Sequence, residues 1–222
     1  MTARVAVYYA PECDDPLWHA GCAWLGRDPQ TGAALPQPPI PGLDAITAAA
    51  RHYGFHATLK PPMRVATDRD GLLEDAEKLA ARLTPFALPP LAVSNLSGFV
   101  ALRETAPCPA LQALADSCIE ALDPHRAAPS EAELMQRRAA GLSAEQEAML
   151  RRWGYPAAFA TWQFHMTLSC RLDDAARMPL MAEAETWFAG ALAQPREVRS
   201  ICLFEAAHGG PFNLTARLPL RG

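Results

Sequence analysis

The sequence predicts an α+β fold built from a duplicated strand–helix–strand–strand unit, and three observations carry that prediction. Phe55-His56-Ala57-Thr58-Leu59 recurs as Phe164-His165-Met166-Thr167-Leu168. Each copy leads into residues with apolar positions at helical spacing, followed by two short strand-like runs. Half of the 222 residues are apolar, enough for one sizeable core.

Taken in chain order, Arg4-Val5-Ala6-Val7-Tyr8-Tyr9-Ala10 reads as a short strand stopped by Pro11. Trp18 and Trp24 flank what reads as a Gly-rich bend and are expected in the core. Residues 28–42 hold Pro29, Pro36, Pro38, Pro39 and Pro41, too many for a packed element, and are expected to be a loop. The first unit then places a strand at 52–60 and a helix at 70–83, with strands at 91–95 and 98–103 turning at Ser97-Gly98. The helix presents Leu72, Leu73, Ala76, Leu79, Ala80 and Leu83 on one side.

A helical insert comes next. Residues 109–122 carry Leu111, Leu114, Ala115, Cys118, Ile119 and Leu122 at helical spacing. Ser130-x-x-Glu133 and Ser143-x-x-Gln146 each have the form of a capping box, in which hydroxyl and third side chain satisfy free N–H groups reciprocally. Two short helices follow from this, the second ending at Gly154. The second unit repeats the first: a strand at 160–172, a helix at 174–190, and strands at 198–205 and 213–219 around His208-Gly209-Gly210-Pro211. The whole chain, 1–222, is expected to form a single bilobal domain around a pseudo-twofold axis. One lobe would span 44–104 and the other 158–222, with the insert at about 108–156.

The bulk properties exclude several classes of function. A net charge of −4 argues against gripping a long nucleic acid, which draws on many Lys and Arg contacts, but leaves room for a local phosphate pocket. The chain starts without the apolar core of a signal peptide and has no run of transmembrane length, so the expected compartment is the cytoplasm, with no membrane partner. Six cysteines lie far apart without a Cys-x-x-Cys pair and read as reduced thiols. Cys13, His19 and Cys22 lack a fourth ligand at a zinc spacing, so no metal or other cofactor is expected.

The chemistry resides in the repeated motif. Alternate residues of a strand share a face. Around the second copy Phe164, Met166 and Leu168 are apolar while His165, Thr167, Ser169 and Arg171 are polar; around the first, Phe55, Ala57 and Leu59 alternate with His56, Thr58 and Lys60. Each His therefore shares a face with its Thr and with a cation four residues on. His52 falls on that face too but stands apart from His56. Imidazoles suit proton transfer near neutral pH, hydroxyls can bind non-bridging oxygens, and cations offset charge that develops at phosphorus. The expected catalytic residues are His56, His165, Thr58 and Thr167. Lys60, Arg171, Ser169 and Tyr8 are expected to bind substrate, the tyrosine by stacking on a base or sugar.

These paired strands resemble the two-histidine (2H) phosphoesterase superfamily. Tyr8-Tyr9-Ala10-Pro11, Trp24-Leu25-Gly26-Arg27-Asp28, Tyr53 to Pro62, Ala140-Gly141-Leu142-Ser143 and Arg152-Trp153-Gly154-Tyr155-Pro156 are similar to a branch associated with phosphonate-utilisation operons. The resemblance implies two antiparallel sheets flanking a central groove. It also implies action on a small phosphorylated substrate, either a cyclic phosphate or a 2′–5′-linked ribose phosphate, with the two histidines as acid–base pair and the two threonines as phosphate ligands. Two other readings compete with a phosphoesterase: a non-catalytic nucleotide or sugar-phosphate binding module, and a metal-dependent hydrolase with the histidines as ligands.

Overall fold

Nine strands, seven α-helices and two short 3-10 helices follow one another in the computed structural model, which describes residues 4–139, 141–207 and 209–222. His208 of the expected turn and Ala140 of the resembling stretch lie outside these residues. Strand β1 (Arg4–Tyr9) is followed by two helices, α1 (Pro16–Leu25) and α2 (Leu43–Tyr53). The first unit is β2 (Ala57–Arg64), α3 (Arg69–Ala81), β3 (Phe86–Leu88), β4 (Leu91–Leu96) and β5 (Phe99–Glu104). The insert is α4 (Pro109–Leu122), α5 (Glu131–Arg138) and α6 (Ala144–Trp153). The second unit is β6 (Met166–Arg171), α7 (Asp174–Leu192), β7 (Arg196–Val198), β8 (Ser200–Ala206) and β9 (Asn213–Pro219).

The α+β class and most elements stand where the sequence places them, and both capping boxes form, at Ser130 and at Ser143. The second motif strand, expected at 160–172, is shorter, running only from Met166 to Arg171, with a 3-10 turn at Phe159–Thr161 where its start was expected. Two N-terminal elements differ as well. The bend at the tryptophans is helix α1: Asp15 caps it by accepting from Leu17 N, Pro16 fits the first turn, and Trp18 and Trp24 are both buried. Residues 52 and 53, expected in a strand, close helix α2, whose Ala-rich run favours a helix; this removes His52 from the motif strand. The strand begins later and runs through Pro61 and Pro62. Those prolines fall between the Val7–Lys60 and Val5–Met63 pairs, where the β1–β2 register is already shifted, so missing N–H groups cost little there.

The sheet architecture differs more. Two separate sheets were expected; instead β4-β5-β6-β2-β1-β8-β9 form one seven-stranded antiparallel sheet, with β3-β7 as a small second one. The units are also interlaced. The first unit's hairpin β4-β5 pairs with β6 of the second unit, while the second unit's hairpin β8-β9 joins the first unit's β2 through β1. The helices cross in the same sense: α7 packs on β4 and β5, and α3 on β9. Even the small sheet takes one strand from each unit. The two halves of the large sheet are therefore not the contiguous stretches 44–104 and 158–222.

One core runs beneath this sheet. Phe55, Ala57, Leu59, Phe164, Met166 and Leu168, the apolar face of both motif strands, are all fully buried within it. Burying a large apolar side chain contributes about 1.5–3 kcal/mol. That is ample to hold each motif strand with its opposite, polar face outward.

Candidate active site

The site grows from one register. Strands β2 and β6 pair antiparallel at Ala57↔Met166, the single pair of that ladder among the described residues. Extending the register by one residue each way sets Thr58 across from His165 and His56 across from Thr167. Directly opposed residues on one face have Cβ atoms about 4.5–5.5 Å apart. Each histidine thus faces the threonine of the other motif. Trp162 reinforces the seam by donating its indole N–H to Thr58 O at 2.8 Å.

Both imidazoles are oriented alike. Gly54, with φ +78, ends α2 and turns its carbonyl to accept from His56 Nδ1 at 2.9 Å. Gln163 O accepts from His165 Nδ1 at 2.8 Å. A carbonyl only accepts, so Nδ1 carries the proton in each ring and Nε2 presents a lone pair. That of His56 meets the Thr58 hydroxyl at 3.2 Å, and that of His165 has no protein partner among the described residues. His165, Thr58, Tyr155, Trp162 and Gln163 line a cleft of about 240 Å³; His56, hydrogen-bonded to Thr58, and Thr167 are not among its lining residues.

Burial sets the charge of both rings. Desolvation pushes the His56 pKa down to about 4 against the raising effect of the Gly54 carbonyl, and the neighbouring His165 lowers it further. Desolvation also lowers that of His165; the Gln163 carbonyl raises it, Arg103 lowers it and Glu104 raises it. Tyr8 contributes to burying His56, stacked on it with ring centroids 3.7 Å apart. Tyr8 itself is fully buried, and its hydroxyl has no partner among the described residues. It therefore packs on the His56 ring instead of offering an open platform for a base.

Three expected binding residues lie elsewhere. Lys60 is buried after the β-bulge in β2, and its ammonium donates to Ile119 O at 3.0 Å and to Asp123 at 3.3 Å. Desolvation lowers its pKa to about 8 against the pull of Asp123. Ser169 fills a register shift between β5 and β6: it is buried, accepts from Val100 N at 2.9 Å and donates to Cys170 O. Its role is structural. Arg171 is at the far end of β6, its guanidinium 5.1 Å from the Phe99 ring centre.

Sequence reasoning passed over Arg103. Leu102 pairs with Met166, so Arg103 extends that register to stand beside His165. Its Nε is buried without a partner among the described residues. The signal was its place on the polar side of β5, unreadable until β5 was known to pair with β6.

Among the described residues no group of three or more His, Cys, Asp or Glu side chains is arranged to hold a metal ion, and no helix is long and apolar enough to cross a membrane. Comparison with known proteins gives a family match over residues 58–213, to the family described as "Protein of unknown function (DUF1045)". Two curated relatives carry the name ribose 1,5-bisphosphate phosphokinase PhnN. The one from Janthinobacterium sp. (strain Marseille) is 37% identical over 99% of this chain and 51% of its own length. The one from Laribacter hongkongensis (strain HLHK9) is 38% identical over 95% of this chain and 50% of its own. The chain spans about half the length of the curated relatives it matches. Among solved structures, one described as a phosphoesterase aligns over 100% of both chains at 13% identity and a TM-score of 0.49. E. coli LigT complexed with 3′-AMP aligns over 100% of both at 14% identity and 0.48. Likeness at that level says nothing about reaction or substrate, which must be read from the site.

Proposed function

The chain belongs to the DUF1045 family, and we propose that within it this protein is a metal-independent phosphoesterase that opens a cyclic phosphate or cleaves a 2′–5′-linked ribose phosphate. What carries this reading is the Ala57↔Met166 register, which opposes each histidine to the other motif's threonine. A phosphorus centre held between the strands would meet two imidazole Nε2 atoms and two hydroxyls. One neutral imidazole takes a proton from the attacking water; the water oxygen bonds to phosphorus, and the P–O bond to the sugar breaks. The other imidazole, protonated, delivers its proton to the departing sugar oxygen. Thr58 and Thr167 bind the non-bridging oxygens, and Arg103 offsets the charge gathering there.

The substrate class follows from two supports. The resemblance to the phosphonate-operon branch points to a ribose cyclic phosphate, and the relatives' names carry a phosphorylated ribose. Those same names favour a second reading, a phosphokinase. A P-loop kinase would need a Gly-x-x-x-x-Gly-Lys loop. The two lysines, Lys60 and Lys78, follow Leu59 and Glu77, so this stretch offers no such loop. The test is turnover of 2′,3′-cyclic nucleotides, cyclic ribose phosphates and 2′–5′ dinucleotides with and without EDTA. Hydrolysis insensitive to chelation and lost in both His56→Ala and His165→Ala is expected. Tight binding without turnover would make the protein a binding module, and loss on chelation with rescue by zinc would make it a metalloenzyme.

A further inference from the structure

A second pocket adjoins the cleft, and its charge is at odds with the chain as a whole. Its walls include Lys60, Arg64, Arg126 and Arg137, with Glu133 and Tyr155. Tyr155 lines this pocket and the histidine cleft alike. Lys60 is two residues beyond Thr58 on the same strand, past its β-bulge, and so at most roughly 7 Å further along it.

The ion pairing leaves this pocket positive. Asp123 serves both Lys60, at 3.3 Å, and Arg126, at 2.7 Å. Glu133 pairs with Arg64 at 3.1 Å. Arg137 has no carboxylate within ion-pair distance among the described residues; it donates to Gly154 O, and its guanidinium carbon is 5.3 Å from the Tyr155 ring centre. Four cations thus face two carboxylates in a protein whose net charge is −4. Arg126 lies close against Gly154, where a Cβ would stand 2.8 Å from its Nη1. Partial burial depresses the Arg137 pKa against the raising effects of Tyr155 and Glu133.

We propose that this pocket is a subsite for a second phosphoryl group of the substrate, a phosphate monoester held by Arg137 while the phosphorus to be cleaved sits between the histidines. This inference rests on the phosphoesterase reading and narrows it. The substrate is a sugar, free or as part of a nucleotide, that carries a phosphate monoester one pentose ring away from its cyclic phosphate. A monoester dianion balances the two excess charges, and a guanidinium can take two of its oxygens in parallel.

Two probes test this: adenosine 2′,3′-cyclic phosphate and the same compound bearing a 5′-phosphate. The wild type is expected to favour the 5′-phosphorylated probe at least tenfold in kcat/KM, chiefly through KM. Arg137→Gln should lose at least tenfold more on that probe than on the other, and Arg137→Lys should recover part of the difference. Equal losses on both probes, or no preference in the wild type, would overturn the subsite. Calorimetric titration of ribose 5-phosphate into the doubly substituted His56→Ala/His165→Ala protein separates this proposal from the catalytic one. Binding that Arg137→Gln abolishes upholds the subsite even if neither probe is hydrolysed; absence of binding refutes it whatever the histidines do.

Discussion

Ala57 stands directly across from Met166, and on the ladder between the two motif strands this pair is alone among the described residues. Both side chains are fully buried, so their neighbours His56, Thr58, His165 and Thr167 turn to the other face together. A shift of one residue in either strand would bury the histidines and expose the core. The chemistry proposed above depends on that register.

Replacing either histidine should therefore remove activity without removing the fold. His56→Ala and His165→Ala are each expected to lower kcat by about 10²–10⁴-fold, the range for loss of a positioned acid or base. Circular dichroism and the thermal midpoint should stay close to wild type. Turnover within a few-fold of wild type in either variant would exclude the acid–base assignment.

Acid should destabilise the protein through His56. Its folded-state pKa of about 4 lies below the ordinary value near 6.5, so the unfolded chain binds the proton more readily. Stability from this group is complete above pH 6.5 and is lost as pH falls toward 4, an effect of about 2–3 kcal/mol. Urea melts between pH 7 and 4 should show this fall, and His56→Gln should flatten it. An identical pH profile in the variant would refute the cause.

The rate should also favour acid. Both rings are neutral in the free protein at pH 7, since burial lowers both pKa values, yet the mechanism requires one of them protonated. kcat/KM is expected to decline as pH rises above 6.5. A profile that rises steadily through pH 8 would require a different proton donor.

Ser169 should prove structural. Ser169→Ala leaves the buried Val100 N–H without its acceptor, which costs about 1–3 kcal/mol. The thermal midpoint should drop by several degrees while KM holds. A rise in KM at unchanged stability would return this hydroxyl to the substrate.

Trp162→Phe tests the seam. It removes the indole hydrogen bond to Thr58 O and leaves an aromatic ring in place. A loss of about 0.5–1.5 kcal/mol in stability is expected, together with a lower kcat as the opposed motifs loosen. Retention of full activity would show that the single backbone pair suffices.

How much of this the sequence revealed depended on how local the determinant was. Helix caps at Ser130 and Ser143 are set within four residues and could be read directly. The apolar alternation around His165 likewise held from Phe164 to Leu168, since burial on one face enforces it. It failed at Ser169, where a register shift against β5 turns a polar side chain inward. Lys60 was misplaced for the same reason, because the bulge that redirects it depends on pairing with β1. Arg103 was invisible without the partner strand. Positions fixed by strand neighbours distant in the chain carry no local mark.

The exchange of strands between the two repeats bears on how the chain can be divided. A break near residue 106 would separate β4-β5 from β6 and α7, β2 from β6 and β1 from β8, leaving each fragment with apolar surfaces whose cover lies on the other. Neither piece has a floor of its own. The duplicated unit, though repeated in the text of the sequence, is not a unit of folding, and the molecule must be assembled by docking its beginning against its end.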